Sequence, residues 1–166
     1  VKFSSYVEAG VENHTRKTNP LVDYGPFGKH LVVEELKSDE DYILYQGETK
    51  NSKLSMACGS VVVTDGHMTE CVIGEEDGHT SYEVYAEEGK EVTFEKMIAY
   101  TSELDMPKEE ILPFIRAKLS EAKVLGYDKY EALQKEKMDE FWSKADIKIE
   151  GDEELQQGIR FNLFHI

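Results

Sequence analysis

The residues with chemistry to offer are dispersed along the chain, and the first group lies in its opening quarter. Asp23-Tyr24-Gly25-Pro26-Phe27-Gly28-Lys29-His30 has the outline of a phosphate loop. Such a loop needs four residues between its glycines and Ser or Thr after the lysine, so that backbone amides cradle the phosphate and the hydroxyl meets the metal. Only Pro26 and Phe27 intervene here and His30 follows the lysine, which excludes that chemistry. What remains is a long connection between strands, over residues 13–30, carrying His14, Tyr24, Phe27 and His30. Loops of that length are functional more often than short ones. These four side chains are therefore the candidates for a loop that reaches a neighbouring ligand cleft.

Asp-Gly-His occurs twice, at 65–67 and 77–79, with Glu70, Glu75 and Glu76 nearby. A metal centre needs His and carboxylates to converge in space. Two turns on an acidic surface account for the same residues, so no metal is expected. Glycosidic chemistry by paired carboxylates needs one raised pKa and a defined separation. With 34 acidic residues, such pairs are too abundant to point anywhere. Cys58 and Cys71 lie in strands rich in Val and Met and read as core thiols rather than nucleophiles. Trp142 reads as the anchor of a helix rather than a sugar-stacking surface. No catalytic residue is assigned.

The elements that would position these groups are strands up to about Ser102. Strands are expected at 1–12, 30–36, 41–49, 53–63, 68–74, 79–87 and 91–101, separated by turn chemistry at Asp65-Gly66, Asp77-Gly78 and Glu88-Gly89-Lys90. This spacing indicates an antiparallel sandwich or barrel. Asp65-Gly66 is a two-residue hairpin signal; its register pairs Thr64 with His67 and Ser60 with Cys71. Cys58 then lies diagonal to Cys71, about 7–8 Å away, too far for an unstrained disulfide. Two reduced thiols and a cytoplasmic location are expected. The sequon Asn13-His14-Thr15 has no meaning without a secretory route.

From Pro107 the period changes from two to about 3.6. Ile111, Ile115, Leu119 and Ala122 form a stripe that ends at Gly126, with Pro113 expected to restart or kink the helix. Asp128 with Glu131 resembles a capping box. After a short extended piece, Ile147 to Ile149, Asp152 caps a last helix. Leu155, Ile159, Leu163 and Ile166 line one of its faces, and Phe161 and Phe164 the other. A helix apolar on two faces belongs inside something. Exposing those large side chains forfeits roughly 1.5–3 kcal/mol each, so the body they pack into is expected to lie outside this sequence. Val1 likewise opens directly into a strand, so the chain is expected to be a fragment at this end too.

At 166 residues the chain holds one domain with a real core, or one and part of another. Its net charge of −15, from 34 acidic and 19 basic residues, argues against nucleic acid or an anionic membrane as partner. No apolar run approaches the ~20 residues of a membrane span.

The C-terminal third carries more specific wording. Phe141-Trp142-Ser143-Lys144-Ala145-Asp146-Ile147-Lys148-Ile149-Glu150-Gly151-Asp152, followed by Glu153-Glu154-Leu155-Gln156-Gln157-Gly158-Ile159-Arg160-Phe161-Asn162-Leu163-Phe164-His165-Ile166, resembles a junction in glycoside hydrolase family 65. There the junction leads from linker helices into a catalytic (α/α)6 barrel. Val92-Thr93-Phe94-Glu95-Lys96 with Tyr100-Thr101-Ser102 resembles the last strand of that family's N-terminal β-sandwich, and Gly126-Tyr127-Asp128 its linker turn. The likeness covers residues 90–166; the earlier strands are compatible with it.

The resemblance implies a mainly β fold with a helical C-terminal segment: part of a super-sandwich, followed by linker helices. Its expected divisions are a partial β-sandwich at 1–104, linker helices at 105–145 and the start of the barrel at 146–166. Leu155, Ile159, Phe161, Leu163, Phe164 and Ile166 would pack within that barrel. The family consists mainly of inverting disaccharide phosphorylases acting on α-glucosides such as maltose, kojibiose, nigerose or trehalose. A barrel Glu is the general acid and inorganic phosphate, the co-substrate, attacks the anomeric carbon in place of activated water. No metal or organic cofactor is implied. The general acid, phosphate cradle and main sugar subsites would lie beyond Ile166, so no catalytic role carries over to these residues. The implied partners are the barrel of the same polypeptide, a second copy in a homodimer, and the parent's disaccharide. Two rival expectations are a free-standing carbohydrate-binding module, with Tyr82, Tyr85 and Tyr100 as a stacking platform, and an interaction scaffold that dimerises through residues 152–166.

Overall fold

The structure, a computed structural model, describes residues 1–13 and 28–165, in two compact units, Val1–Val124 and Leu125–Ile166. In the first unit, period-two alternation yields strands in the order β1 (Lys2–Glu8), β2 (Glu12–Asn13), β3 (Gly28–Lys29), β4 (Leu31–Asp39), β5 (Tyr42–Thr49), β6 (Ser55–Thr64), β7 (His67–Ile73), β8 (Asp77–Glu83) and β9 (Phe94–Ser102). They form a four-stranded sheet, β4-β5-β6-β9, a three-stranded sheet, β1-β8-β7, and the ribbon β2-β3. Every pairing is antiparallel. This is the mainly β fold with C-terminal helices that the sequence pattern indicates.

Helix α1 (Lys108–Leu125) covers one face of the four-stranded sheet. Ile111, Leu112, Ile115 and Leu119, at helical spacing, pack against Tyr42, Leu44, Ala57 and Val61, with Met97, Ala99 and Met106 at the margin. The other face of the sheet carries Ile43, Tyr45, Ser60 and Val62, also buried. There Phe94 of β9 meets Phe3 of β1 at 4.3 Å and Tyr82 of β8 at 6.2 Å between ring centroids. Tyr42 through Tyr45 are all buried because β5 is covered on both faces. Cations of α1 grip acids of β4 and its turn into β5: Lys108 on Glu34 at 2.6 Å, Arg116 on Asp39 at 2.5 Å, and Lys123 on Asp41 at 2.5 Å.

Several local expectations are overturned. Asp65-Gly66 does not close a hairpin: β6 pairs with β5 and β9, whereas β7 pairs with β8. Both edges of β6 are occupied, so the turn becomes a corner between sheets. The Asp65 carboxylate accepts from the Thr93 amide at 2.8 Å and the Thr64 hydroxyl donates to the Thr93 carbonyl at 2.8 Å. Cys71 therefore sits opposite Thr80, not Ser60, and Cys58 opposite Tyr45 and Tyr100. Asp77-Gly78 opens β8, and the turn before it closes one step earlier, where the Gly74 amide donates to the Asp77 carbonyl. α1 runs through Pro113 unbroken. The proline sits near the helix start, and the fully buried residues on either side of it hold the helix together.

The second unit contains α2 (Tyr127–Ala145) and α3 (Glu153–Phe164). Gly126, at φ +74°, occupies the N-cap of α2 and no side chain caps it, so the expected Asp128–Glu131 capping box is absent. Glu140 and Lys144 make an i,i+4 pair at 2.9 Å. Neither α2 nor α3 contains a fully buried residue among those described.

Candidate functional site

Three of the four loop candidates, His14, Tyr24 and Phe27, lie outside the described residues. The fourth, His30, is half-buried just after the ribbon that pairs Glu12 with Lys29 and Asn13 with Gly28. Its carbonyl accepts from the Lys50 amide at 2.8 Å. Beside it is an open cleft of about 380 Å³ lined by Lys29, Leu31, Val32, Val33, Lys50, Glu75 and Glu76. Lys29 is ion-paired with Glu76; that hydrogen bond, above all, pushes the Lys29 pKa up. Two lysines and two glutamates leave the lining without net charge, which suits neither a phosphate nor a divalent cation. A second shallow cleft, of about 360 Å³, is lined by Tyr6, Val7, Glu8, Gly10, Glu76 and Asp77.

The two Asp-Gly-His motifs do not converge. His67 opens β7 opposite Glu83, whereas His79 lies in β8 opposite Tyr6 and Val72. His79 stacks on the Tyr6 ring at 5.0 Å and stands 3.8 Å from Glu70. Among the described residues no group of three or more His, Cys, Asp or Glu is arranged to hold a metal ion. Both cysteines are free thiols. Burial pushes the Cys58 pKa up, the opposite of what a thiolate nucleophile needs.

The tyrosine platform is divided. Tyr82, only 3% exposed, is an interior residue stacked against Phe3. Tyr85 and Tyr100 are 86% and 79% exposed, and Ile98 accompanies Tyr100 on the face of β9 turned away from α1, beyond the reach of the contacts that Phe94 makes on that face. On the other face of β9, Met97 and Ala99 pack toward α1.

In the second unit the two apolar faces of α3 are covered unequally, and Leu155 does not follow Ile159 and Leu163. Ile159 and Leu163 are half-buried, while Phe161 and Phe164 are 62% and 58% exposed and Leu155 is exposed with them. Ile166 lies outside the described residues. The Asp152 carboxylate accepts from the Leu155 amide at 2.9 Å and caps the helix. Sequence reasoning missed the polar side of this helix, where Gln156 and Arg160 reach back to the segment before it. Their i,i+4 spacing was the available signal. No helix among the described residues is long and apolar enough to cross a membrane.

The architecture, a two-sheet sandwich with C-terminal helices and no assembled catalytic group among the described residues, has counterparts. Residues 1–141 match the family model for the N-terminal domain of glycosyl hydrolase family 65. The chain belongs to that family. It is 30% identical over its whole length to an α,α-trehalose phosphorylase of Thermoanaerobacter brockii, of which it covers 22%. It is 33% identical over 99% of its length to an α,α-trehalose phosphorylase of Geobacillus stearothermophilus, covering 21% of that protein. A maltose phosphorylase of Bacillus subtilis is 38% identical over 45% of the chain and 10% of the relative. A solved structure from the human microbiome, bearing the name of a kojibiose phosphorylase, superposes with a TM-score of 0.76 at 15% identity; the alignment covers 99% of this chain and 20% of that one. That likeness concerns the fold. The chain spans about a fifth of the length of the trehalose phosphorylases it matches.

Proposed function

We propose that this chain is the non-catalytic N-terminal part of an inverting disaccharide phosphorylase, bracing the catalytic barrel and the dimer. The observation that carries this reading is the match of residues 1–141 to the family's N-terminal domain, in a chain only about a fifth as long as its relatives. The exposed Phe161 and Phe164 support it, because burying each against the barrel recovers roughly 1.5–3 kcal/mol. In the parent protein a barrel Glu would protonate the departing sugar while inorganic phosphate attacks the anomeric carbon, giving a sugar 1-phosphate and glucose. No metal or organic cofactor takes part. The loop at residues 13–30, with His14, Tyr24, Phe27 and His30, would border the substrate cleft. A homodimer in the cytoplasm completes the reading.

The direct test is phosphorolysis. The purified 166-residue chain, given phosphate with maltose, trehalose or kojibiose, is expected to release no glucose 1-phosphate. Release by the chain alone would overturn the non-catalytic assignment. The outward Tyr85 and Tyr100 favour a second reading, a carbohydrate-binding module. Titrating oligosaccharides against tyrosine and Trp142 fluorescence separates the two; a saturable change lost in Tyr100→Ala supports the module, and a flat titration removes it.

A further inference from the structure

The joint between α2 and α3 is bound on every side by its own residues. Asp146 ends α2, its amide donating to the Trp142 carbonyl at 3.1 Å. Its carboxylate meets the Arg160 guanidinium as a two-pronged fork, Nε to Oδ1 at 2.8 Å and a terminal nitrogen to Oδ2 at 2.7 Å. One turn earlier on α3, the Gln156 amide spans the extended piece between the helices. Its Oε1 accepts from the Ile149 amide at 2.7 Å and its Nε2 donates to the Ile147 carbonyl at 2.8 Å. Asp152 supplies the cap that starts α3. Gly151, at φ +88°, makes the turn that L side chains resist.

Gln156 and Arg160 lie on one face of α3 at i,i+4, Phe164 follows Arg160 one turn further on, and Phe161 points away from Gln156. The fork fixes a planar geometry that a single charge contact would not, and the amide pair fixes the backbone between the helices. We infer that Asp146, Gln156 and Arg160 are positioning residues. They form a self-contained elbow that sets the direction of α3 from the end of α2 before any neighbouring body covers Phe161 and Phe164. The elbow stands on its own hydrogen bonds, so it does not depend on which protein mass lies beyond.

The test is amide hydrogen exchange, residue by residue, on the whole 166-residue chain, with the Ala57 amide of β6 as the internal marker of folding. The Ile149 amide is expected to exchange about tenfold slower than in an unstructured peptide, as one such hydrogen bond implies. Gln156→Ala removes its acceptor and should abolish that protection. Arg160→Ala is the discriminating variant, because Arg160 bonds neither Ile147 nor Ile149. If it orients α3, its loss should release the Ile149 amide too, and the exchanged pair Asp146→Arg with Arg160→Asp should restore protection. An unprotected Ile149 amide in the unaltered chain, with Ala57 protected, would overturn the elbow. So would an Ile149 amide indifferent to Arg160→Ala.

Discussion

At Gly59 the lack of a side chain is what admits α1 to the sheet. A Cβ there would lie 2.8 Å from Leu119 Cδ1 and Leu44 Cδ2 and 2.9 Å from Ile115 Cγ2. Gly59→Ala should therefore cost about 1–3 kcal/mol by overpacking, and Ile115→Ala, which opens a cavity in the same place, about 2–5 kcal/mol. Urea midpoints of the two variants check both figures, and an unchanged midpoint for Gly59→Ala would deny the close approach. Asp146 offers a pH test. The hydrogen bond from Arg160, first, and its charge, together with Lys148 and the Ile147 amide, hold the Asp146 carboxyl below its usual range against a smaller desolvation effect. Because the folded value lies below the unfolded one of about 3.9, its contribution is complete above pH ~4 and disappears as pH falls through the lowered value. A carboxyl titration by NMR should place the Asp146 midpoint below that of a model aspartate; a midpoint at or above it would contradict the fork. Residue-scale reading of the sequence succeeded where one periodicity decides, as for Ile111, Ile115 and Leu119. It failed for Tyr82, because period two separates the faces of a strand without saying which face a second sheet will cover.

Among the elements, β6 shows why local turn chemistry is not topology. Asp65-Gly66 has the residues of a tight hairpin, yet β9, arriving from much later in the chain, takes the edge that β7 would have used. The turn residues then serve a different end, tying the corner to Thr93. Asp65→Ala should loosen that tie and lower stability by about 1 kcal/mol, visible as a smaller urea midpoint with an unchanged slope. A variant as stable as the parent would show that the corner is held elsewhere. The seven long strands were legible because their apolar alternation is strong, α1 because of its Ile111–Ile115–Leu119 stripe and α3 because of its Asp152 cap. Strand order was not, since it depends on pairings between distant segments. Of the loop candidates only His30 falls within the described residues, so the sequence named side chains and not an arrangement.

For the whole molecule, the two units differ in what they bury. The first buries a cluster between α1 and the four-stranded sheet, with Ile43 and Val62 buried on the other face of that sheet. The second presents Tyr127, Tyr130, Leu133, Phe141, Leu155, Phe161 and Phe164 at least in part to solvent. Such an apolar surface is suited to burial against further protein, in keeping with relatives about five times as long. The chain matches the N-terminal domain of family 65 enzymes, and on the function proposed above the chemistry lies in another part of the same polypeptide. The measurement that tests it most directly is the intact mass of the native polypeptide isolated from its source. A mass several times the 19.0 kDa of this chain is expected; a native polypeptide of 19.0 kDa would overturn the proposed function.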